Sequence, residues 1–481
     1  MKKHIFGLCC LTLAEASAER PNIVFILADD QRWDSLGCAG NPVIQTPNID
    51  RLAKAGTQFD KAYVTTSICM VSRASILTGQ YARRHGVNDF FTTLSDAQMR
   101  ETYPVLLRQA GYYTGFIGKW GIGDTVEATS PMVDYFDYWA GVSHQGNYWH
   151  ERTCAYVLKD SAVCDCPPDG RGTSGPAVRF GIGTIKDPVH FTTDVIPQKF
   201  RRFLDSRDPK KPFCISVSLK DPHNPYDYDT KFSRFYERLP MPIRENATPE
   251  AAQNMGHART SLAARQGLRY ANDRSLNGEL QQTIRSYYRL MAGADEAVGR
   301  MIRQLQQAGV YENTVIIYTS DNGYLLAEHG LFGKWLPYEE SIHVPMIIHD
   351  PRTVSRPHCR ATVLNLDVAP TILELAGLAA PAAMQGRSLL PLLTGAADES
   401  SFRSEWFYEH VFEADGQIEP TEAMISGDLK YIRYLKHAGG DELYNLASDP
   451  LELNNLSSDP ESQMQLNRMR HLLDEMRKYV Q

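Results

Sequence analysis

No apolar run in this 481-residue chain approaches the roughly 18–20 residues that a membrane-spanning helix requires. There is no long basic stretch and no stripe of lysine and arginine interleaved with aromatics. The formal net charge is −7, which argues against nucleic acid as a partner. Internal repeats and low-complexity segments are missing, so the chain does not read as a solenoid or a disordered region. It also lacks any C-x-x-C pair. Cys164 and Cys166, one residue apart, therefore make a poor zinc site.

What is present is 43% hydrophobic and 22% charged residues, enough for a large core and more than one domain. Lys2 and Lys3, the apolar run Ile5 to Leu13 and the small residues Ala16-Ser17-Ala18 read as a secretory signal over residues 1–18. A buried N-terminal strand is the competing reading, but the next segment already supplies one. Cys9 does not follow a small residue as a lipoprotein signal requires, so a secreted or periplasmic protein is expected. Loss of the signal removes Lys2, Lys3 and Glu15, a net +1, leaving the mature chain near −8. In an oxidising compartment some of Cys38, Cys154, Cys164, Cys166, Cys214 and Cys359 can pair. Cys154 with Cys164 or Cys166 would staple a Gly/Pro-rich loop.

Pro21 to Ala28, Tyr112 to Gly118, Pro212 to Leu219, Thr314 to Ser320 and Val344 to His349 read as strands, most of them near-continuous apolar runs. Such runs mark strands buried on both faces of a parallel sheet. Helices are predicted over Pro47 to Gly56, Tyr103 to Gly111, Phe191 to Ser206, Ile284 to Leu305 and Val368 to Gly377. Asp295 and Glu296 are read as the solvated edge of the fourth. Residues 122–186 and 226–276 are read as long loops over one end of the sheet. Past about Thr394, short alternating segments around Gly427-Asp428 and Gly439-Gly440 precede a final helix from about Glu461. The expected class is α/β: a large, mostly parallel sheet flanked by helices over 19–394, with a small antiparallel sheet plus helix over 395–481.

Two predicted strands end in carboxylates, one in Asp29-Asp30 and the other in Asp321-Asn322. Adjacent like charges are mutually unfavourable without a counter-ion, and ligands collect outside the carboxyl ends of strands in open α/β sheets. Four hard oxygen donors suit Ca²⁺, with Mg²⁺ second, over Zn²⁺ or Cu²⁺. Arg73, Lys119 and Lys334 form a cationic set, and His223 lies in a Pro-bounded loop after another strand. Cys69 falls at or just before the N-terminus of a short helix stopped by Gly79, an end suited to an anion. Taken alone, Cys69 would be a buried small hydrophobe.

The stretch Cys69-Met-Val-Ser72-Arg73, followed by Leu77-Thr78-Gly79, resembles the signature of the formylglycine-dependent sulfatases, Cys-x-Pro-Ser-Arg followed by Leu-Thr-Gly. The resemblance runs from Pro21 to about Leu456 and includes the closing ELYNLASDPLELNNL. It implies an alkaline-phosphatase-like fold and a formylglycine-generating enzyme that oxidises Cys69, the hydrated aldehyde then serving as nucleophile. It further implies calcium on Asp29, Asp30, Asp321, Asn322 and residue 69. Lys119 and Lys334 would bind sulfate, Arg73 would hold the hydrate, and His223 would protonate the departing alcohol, a role that fits a general acid titrating near neutrality. Three positions depart from the pattern. Val71 stands where Pro is usual, and His343 where Arg is common. Gly121 replaces a His that, in the family, takes a proton from the hydrate, which leaves His144 and His85 as candidate bases.

The expected function is hydrolysis of sulfate esters, on a sulfated carbohydrate if the long loops shape a pocket. Second comes a phosphate- or phosphonate-ester hydrolase, since metal and cations suit either anion. Third is a non-catalytic glycan-binding relative, the reading that Val71 and Gly121 motivate.

Overall fold

Every residue of Asn22–Ala28 (β1) is buried, because its two faces feed two different cores. Ile23, Phe25 and Leu27 point to one side, Val24, Ile26 and Ala28 to the other. The computed structural model describes residues 20–123, 130–142, 148–149, 157–158, 189–248, 251, 278–413 and 418–481. The expected signal over 1–18, the expected pairing of Cys154 with Cys164 or Cys166, and His144 lie outside them. Cys38, Cys214 and Cys359 are free thiols.

β1 is the middle strand of a nine-stranded sheet. The others are Thr57–Tyr63 (β2), Tyr113–Lys119 (β3), Tyr138–Val142 (β4), Val157–Leu158 (β5), Phe213–Ser218 (β6), Thr314–Ser320 (β7), Met346–His349 (β10) and His358–Leu364 (β11). The spatial order is β11-β2-β10-β7-β1-β6-β3-β4-β5, and only β10 and β5 run against their neighbours. Leu325–Leu326 (β8) and Phe332–Gly333 (β9) form a separate two-stranded pair. Helices Cys69–Thr78, Tyr103–Gln109 and Val368–Leu375 cover one face of the large sheet. Pro47–Ala55, Ile196–Ser206 and Glu279–Gln307 cover the other. The result is the α/β class expected, in three layers.

Glu405–His410 (β12), Thr421–Ser426 (β13), Leu429–Tyr434 (β14) and Glu442–Asn445 (β15) form an antiparallel sheet in chain order. Helix Gln463–Tyr479 lies on it through Leu466, Met469 and Leu473, which join the first core. Each such side chain contributes about 2 kcal/mol by leaving water.

Two readings are corrected, and β2 and β11 are strands where none was predicted. β4 lies inside the 122–186 segment read as loop, where its Trp139 stacks on Phe116. β2, TQFDKAY, carries too many polar residues to stand out. Its buried Thr57 and Phe59 nonetheless alternate with partly exposed Gln58 and Asp60. Asp295 is not a solvated edge. Glu296 is, and it pairs with half-exposed Lys231 at 2.8 Å. Asp295 is 4% exposed and accepts from the backbone N–H groups of Asn48 (2.9 Å) and Ile49 (2.8 Å). It thereby closes the first turn of Pro47–Ala55, whose Thr46 supplies no side-chain cap. Asp295→Ala is expected to leave these donors unpaired and cost about 1–3 kcal/mol in urea denaturation, with Asp295→Asn costing less.

Candidate active site

Four neighbouring strands, β7-β1-β6-β3, are parallel, so their carboxyl ends emerge side by side. β7 leads into Asp321 and Asn322, and β1 into Asp29 and Asp30. β6 is followed by Lys220, Asp221 and His223, while β3 ends on Lys119. Helix Cys69–Thr78 brings Cys69 at its first residue and Arg73 one turn later. It ends, as expected, at Gly79 in the left-handed conformation (φ 65°). Lys334 follows β9.

Oxygens of Asp29, Asp30 and Asp321 lie within 4.8 Å of one another. So do an Asp29 oxygen, the Cys69 sulfur and a ring nitrogen of His223. The Lys119 ammonium donates to Asp29 Oδ2 at 2.6 Å. Lys334 Nζ donates to Asp30 Oδ1 and stands 3.2 Å from Cys69 Sγ. Arg73 donates through Nε to Asp321 Oδ2 (2.9 Å) and through Nη1 to the Lys119 carbonyl (2.8 Å) and to Ser218 Oγ. Asn322 Nδ2 donates to Asp30 Oδ1 at 2.6 Å. The structure thus gathers all nine residues singled out in the sequence, every one but His223 buried below 6% exposure.

The electrostatics follow from that crowding. Burial pushes the Asp29 carboxyl up, but the charges of Lys119, of His223 (protonated at the low pH where this carboxyl titrates), of Arg73 and of Lys334 outweigh it and hold the group well below the usual carboxylate range. Burial, with Asp29's charge beside it, pushes Asp321 up to about 6. Burial works against the Lys334 ammonium, yet Asp30 and its neighbours raise it well above the ordinary lysine value. His223 is pulled down to about 4 by burial, against the opposing pull of Asp30 and Asp29, so it rests neutral at pH 7 instead of titrating near neutrality.

The donor set suits a hard cation. Asp29 Oδ1, Asp30 Oδ2 and Asn322 Oδ1 are buried oxygens with no hydrogen-bond partner, and they belong to residues at adjoining strand ends. Asp30 is held at φ 67°, an unfavourable conformation for a non-glycine residue. Tyr287 pins it there: its hydroxyl donates to the Asp30 carbonyl (2.7 Å) and accepts from Arg32 N–H (3.0 Å).

Tyr287 was legible only as an apolar step of a helix. Lys220 and Asp221 were passed over too. Lys220 is 2% exposed, sits 4.9 Å above the Tyr148 ring and is lowered to about 8 by burial and by Lys119. Asp221 is raised to about 8 by burial, and its backbone carbonyl accepts from Asp29 N–H at 3.0 Å. A lysine immediately before Asp-Pro-His was the available signal.

The departures have physical reasons. Gly121 has φ +67°, and a Cβ there would meet Arg73 Cδ at 3.0 Å and Lys119 Cε at 3.1 Å. The stems of those two cations occupy the space a side chain would need. Val71 packs with Ile68 and Ala82. His343 stacks on Trp33 (4.8 Å between centroids) and bonds the Asp60 carbonyl through Nε2. His85, named as a candidate base, pairs with Ser75 Oγ (3.0 Å) and accepts from Val87 N–H (3.1 Å), with no site residue among these partners.

Burial lowers His85 to about 3. The unfolded chain, at about 6.5, therefore binds the proton that the folded one refuses. Stability is fully present above pH 6.5 and is lost as pH falls from there towards 3, by up to about 1.4 kcal/mol per unit. Denaturant titrations from pH 7 to 4 are expected to show this slope, flattened by one proton in His85→Gln.

Fold and site together define a hydrolase of the alkaline-phosphatase-like class. Residues 21–378 match the profile of the Sulfatase family, and residues 327–479 that of the C-terminal region of N-sulphoglucosamine sulphohydrolase. The chain belongs to the sulfatase family, and it is a sulfuric ester hydrolase. It is 28% identical over 537 residues to an N-acetylglucosamine-6-O-sulfatase of Bacteroides thetaiotaomicron, covering 98% of this chain and 88% of that one. A protein solved with its substrate D-glucosamine-2-N,6-O-disulfate is 27% identical, with a TM-score of 0.78 over 96% of this chain and 98% of that one. A phosphonate monoester hydrolase of Agrobacterium radiobacter shares the fold, at 22% identity and a TM-score of 0.73 over 96% of each chain. Among the described residues, no helix is long and apolar enough to cross a membrane.

Proposed function

We propose that this protein hydrolyses sulfate esters of carbohydrates, outside the cytoplasm, with residue 69 matured from cysteine to formylglycine by a formylglycine-generating enzyme. The observation that carries the proposal is the convergence of Cys69 with Lys334 at 3.2 Å and with Asp29 and His223 within 4.8 Å. Relatives named for N-acetylglucosamine 6-sulfates support the sugar substrate. Asp29, Asp30, Asp321, Asn322 and side chain 69 would hold calcium, which would supply a fixed positive charge against the sulfuryl oxygens. The hydrated aldehyde would supply an oxygen nucleophile.

This chain's own residues do the rest. Lys119 and Lys334 carry buried positive charge to the place where negative charge spreads during sulfuryl transfer. Arg73, tied to Asp321 and the Lys119 carbonyl, keeps side chain 69 and the carboxylates in register. The close contact of His223 Nδ1 with the Asn224 carbonyl makes Nδ1 the donor and turns Nε2 towards Asp30, 3.6 Å away. A sulfate anion beside this imidazole favours its charged form, and Nε2 then gives its proton to the departing alcohol oxygen. Afterwards the same Nε2 can accept a proton from side chain 69, the task for which Gly121 has no group. His223→Gln is expected to lower kcat by about 10²–10⁴-fold, with inhibition by inorganic sulfate little changed.

The test is protein co-produced with the maturing enzyme, assayed on a panel of sulfated mono- and oligosaccharides that includes glucosamine 6-sulfate, with aryl sulfate and aryl phosphate alongside. Sulfate release from a sugar, with the Cys69 peptide found as the aldehyde, is the expected result. Faster release of phosphate would move the assignment to phosphoesters. Binding without turnover by fully matured protein would make it a glycan-binding relative.

A further inference from the structure

Beside the nucleophile lies an apolar surface that the chemistry above does not use. Ile68 and Val71, flanking Cys69, pack with half-buried Phe90, Trp335 and Phe412. Phe90 meets Phe412 edge to face, with centroids 5.1 Å apart. Next to Phe90, Phe91 is 71% exposed, more than any other aromatic residue among those described. Its position is built. The Asp89 carboxylate accepts from the backbone N–H groups of Phe91 (2.8 Å) and Thr92 (2.6 Å), an Asx turn that fixes the loop carrying the ring. Trp335 follows Lys334 directly and is held at φ 83°, unfavourable for so large a side chain. Its N–H donates to the Ser67 carbonyl (3.2 Å) and its carbonyl accepts from the Tyr408 hydroxyl (2.8 Å). The aromatic surface is therefore anchored on both chain segments that form the sulfate pocket, 67–71 and 334–335.

An exposed ring on a fixed turn, one residue along the chain from Phe90 of this cluster, gains nothing from folding, and a patch of such rings marks a binding site. A pyranose ring carrying a sulfate ester has the matching form, with an anion at one end and a flat C–H face a few ångströms away. We infer that Phe90, Phe91, Trp335 and Phe412 form a ledge on which the sugar ring of the substrate stacks while its sulfate enters the pocket. This deepens the carbohydrate reading above and rests on it. It assigns the preference for sugar esters to apolar contact at the pocket's rim, separate from the cations that hold the sulfate.

The test separates binding from turnover. Binding of glucosamine 6-sulfate and of a sulfated disaccharide is measured by calorimetry on full-length protein whose Cys69 is left unmodified, for the native chain, Phe91→Ala, Phe412→Ala and the double variant. Binding of inorganic sulfate is the control. Each single variant is expected to weaken sugar binding roughly fivefold, the worth of one aromatic contact, and the double variant more, with sulfate binding unchanged. Sugar affinity within twofold of native in the double variant overturns the ledge. Equal loss for sugar and inorganic sulfate overturns it too, since the pocket itself would then be disturbed. If the native chain binds no sulfated sugar, the ledge falls together with the carbohydrate reading. If it binds sugar but matured protein does not hydrolyse it, only the catalytic reading fails, and the variants still decide the ledge.

Discussion

Cys69→Ala protein, co-produced with the maturing enzyme, is expected to release sulfate at least about 10⁴-fold more slowly than the matured native chain, because the proposed nucleophile is lost while binding and charge stabilisation remain. The residue sits at the first position of a helix whose ten residues are all buried, and alanine there lacks only the sulfur, so the cavity left is small. Inorganic sulfate should still inhibit or bind, since Lys119, Lys334 and Arg73 are untouched. Cys69→Ser, with a hydroxyl in place of the thiol, should also stay inactive, because a serine that is not converted to the aldehyde lacks the second oxygen of the hydrate. Intact-peptide mass separates the cases: the native peptide should be lighter than its thiol form and the variants unprocessed. Full activity in Cys69→Ala would remove the proposed chemistry.

The second large effect is expected at Asp321. Its Oδ2 receives Arg73 Nε (2.9 Å) and Nη2 (2.8 Å), and its Oδ1 accepts the Asp30 backbone N–H (3.1 Å). Asp321→Ala removes one donor to the proposed calcium and leaves a guanidinium, 3% exposed, without its main partner. Breaking a buried pair in this way costs about 3–5 kcal/mol. Metal content by elemental analysis should drop below one equivalent, and the melting temperature should fall, unrestored by added calcium. Asp321→Asn keeps the shape but loses the charge, so it should lose less stability and still bind calcium weakly. In the native protein, calcium affinity should fall as pH drops below about 6, since Asp321 is raised to about 6 and a proton then competes for the same oxygen. Calcium affinity that stays flat from pH 7 to 5 would count against Asp321 as a ligand.

Much of the fold was legible because its signals are local. The runs that became β1, β6 and β7 are apolar throughout, and a strand between two layers of helix has no polar face to show. Pro47 and Gly56 bracket one helix, and Gly79 stops another at the residue expected. β2 was missed because its polar residues sit on a half-exposed strand. Asp295 was misread because nothing in a helical repeat reveals that the start of another helix, 246 residues away in sequence at Ile49, rests on that carboxylate. His223 was expected near its ordinary titration range. Its neutrality comes from burial in a completed site, which no neighbouring residue type announces.

The sequence by itself determined which groups are available and how each is delivered: carboxylates after apolar strands, a cysteine at a helix start, and lysines beside glycine and tryptophan. The tertiary structure alone decided that they meet. β7, β1, β6 and β3 are consecutive and parallel, hydrogen-bonded strands lie about 4.8 Å apart, and so Asp30 and Asn322, 292 residues apart in sequence, fall within one side chain's reach. The same packing turned the Gly121 position over to the stems of Arg73 and Lys119, and set Phe91 in the open.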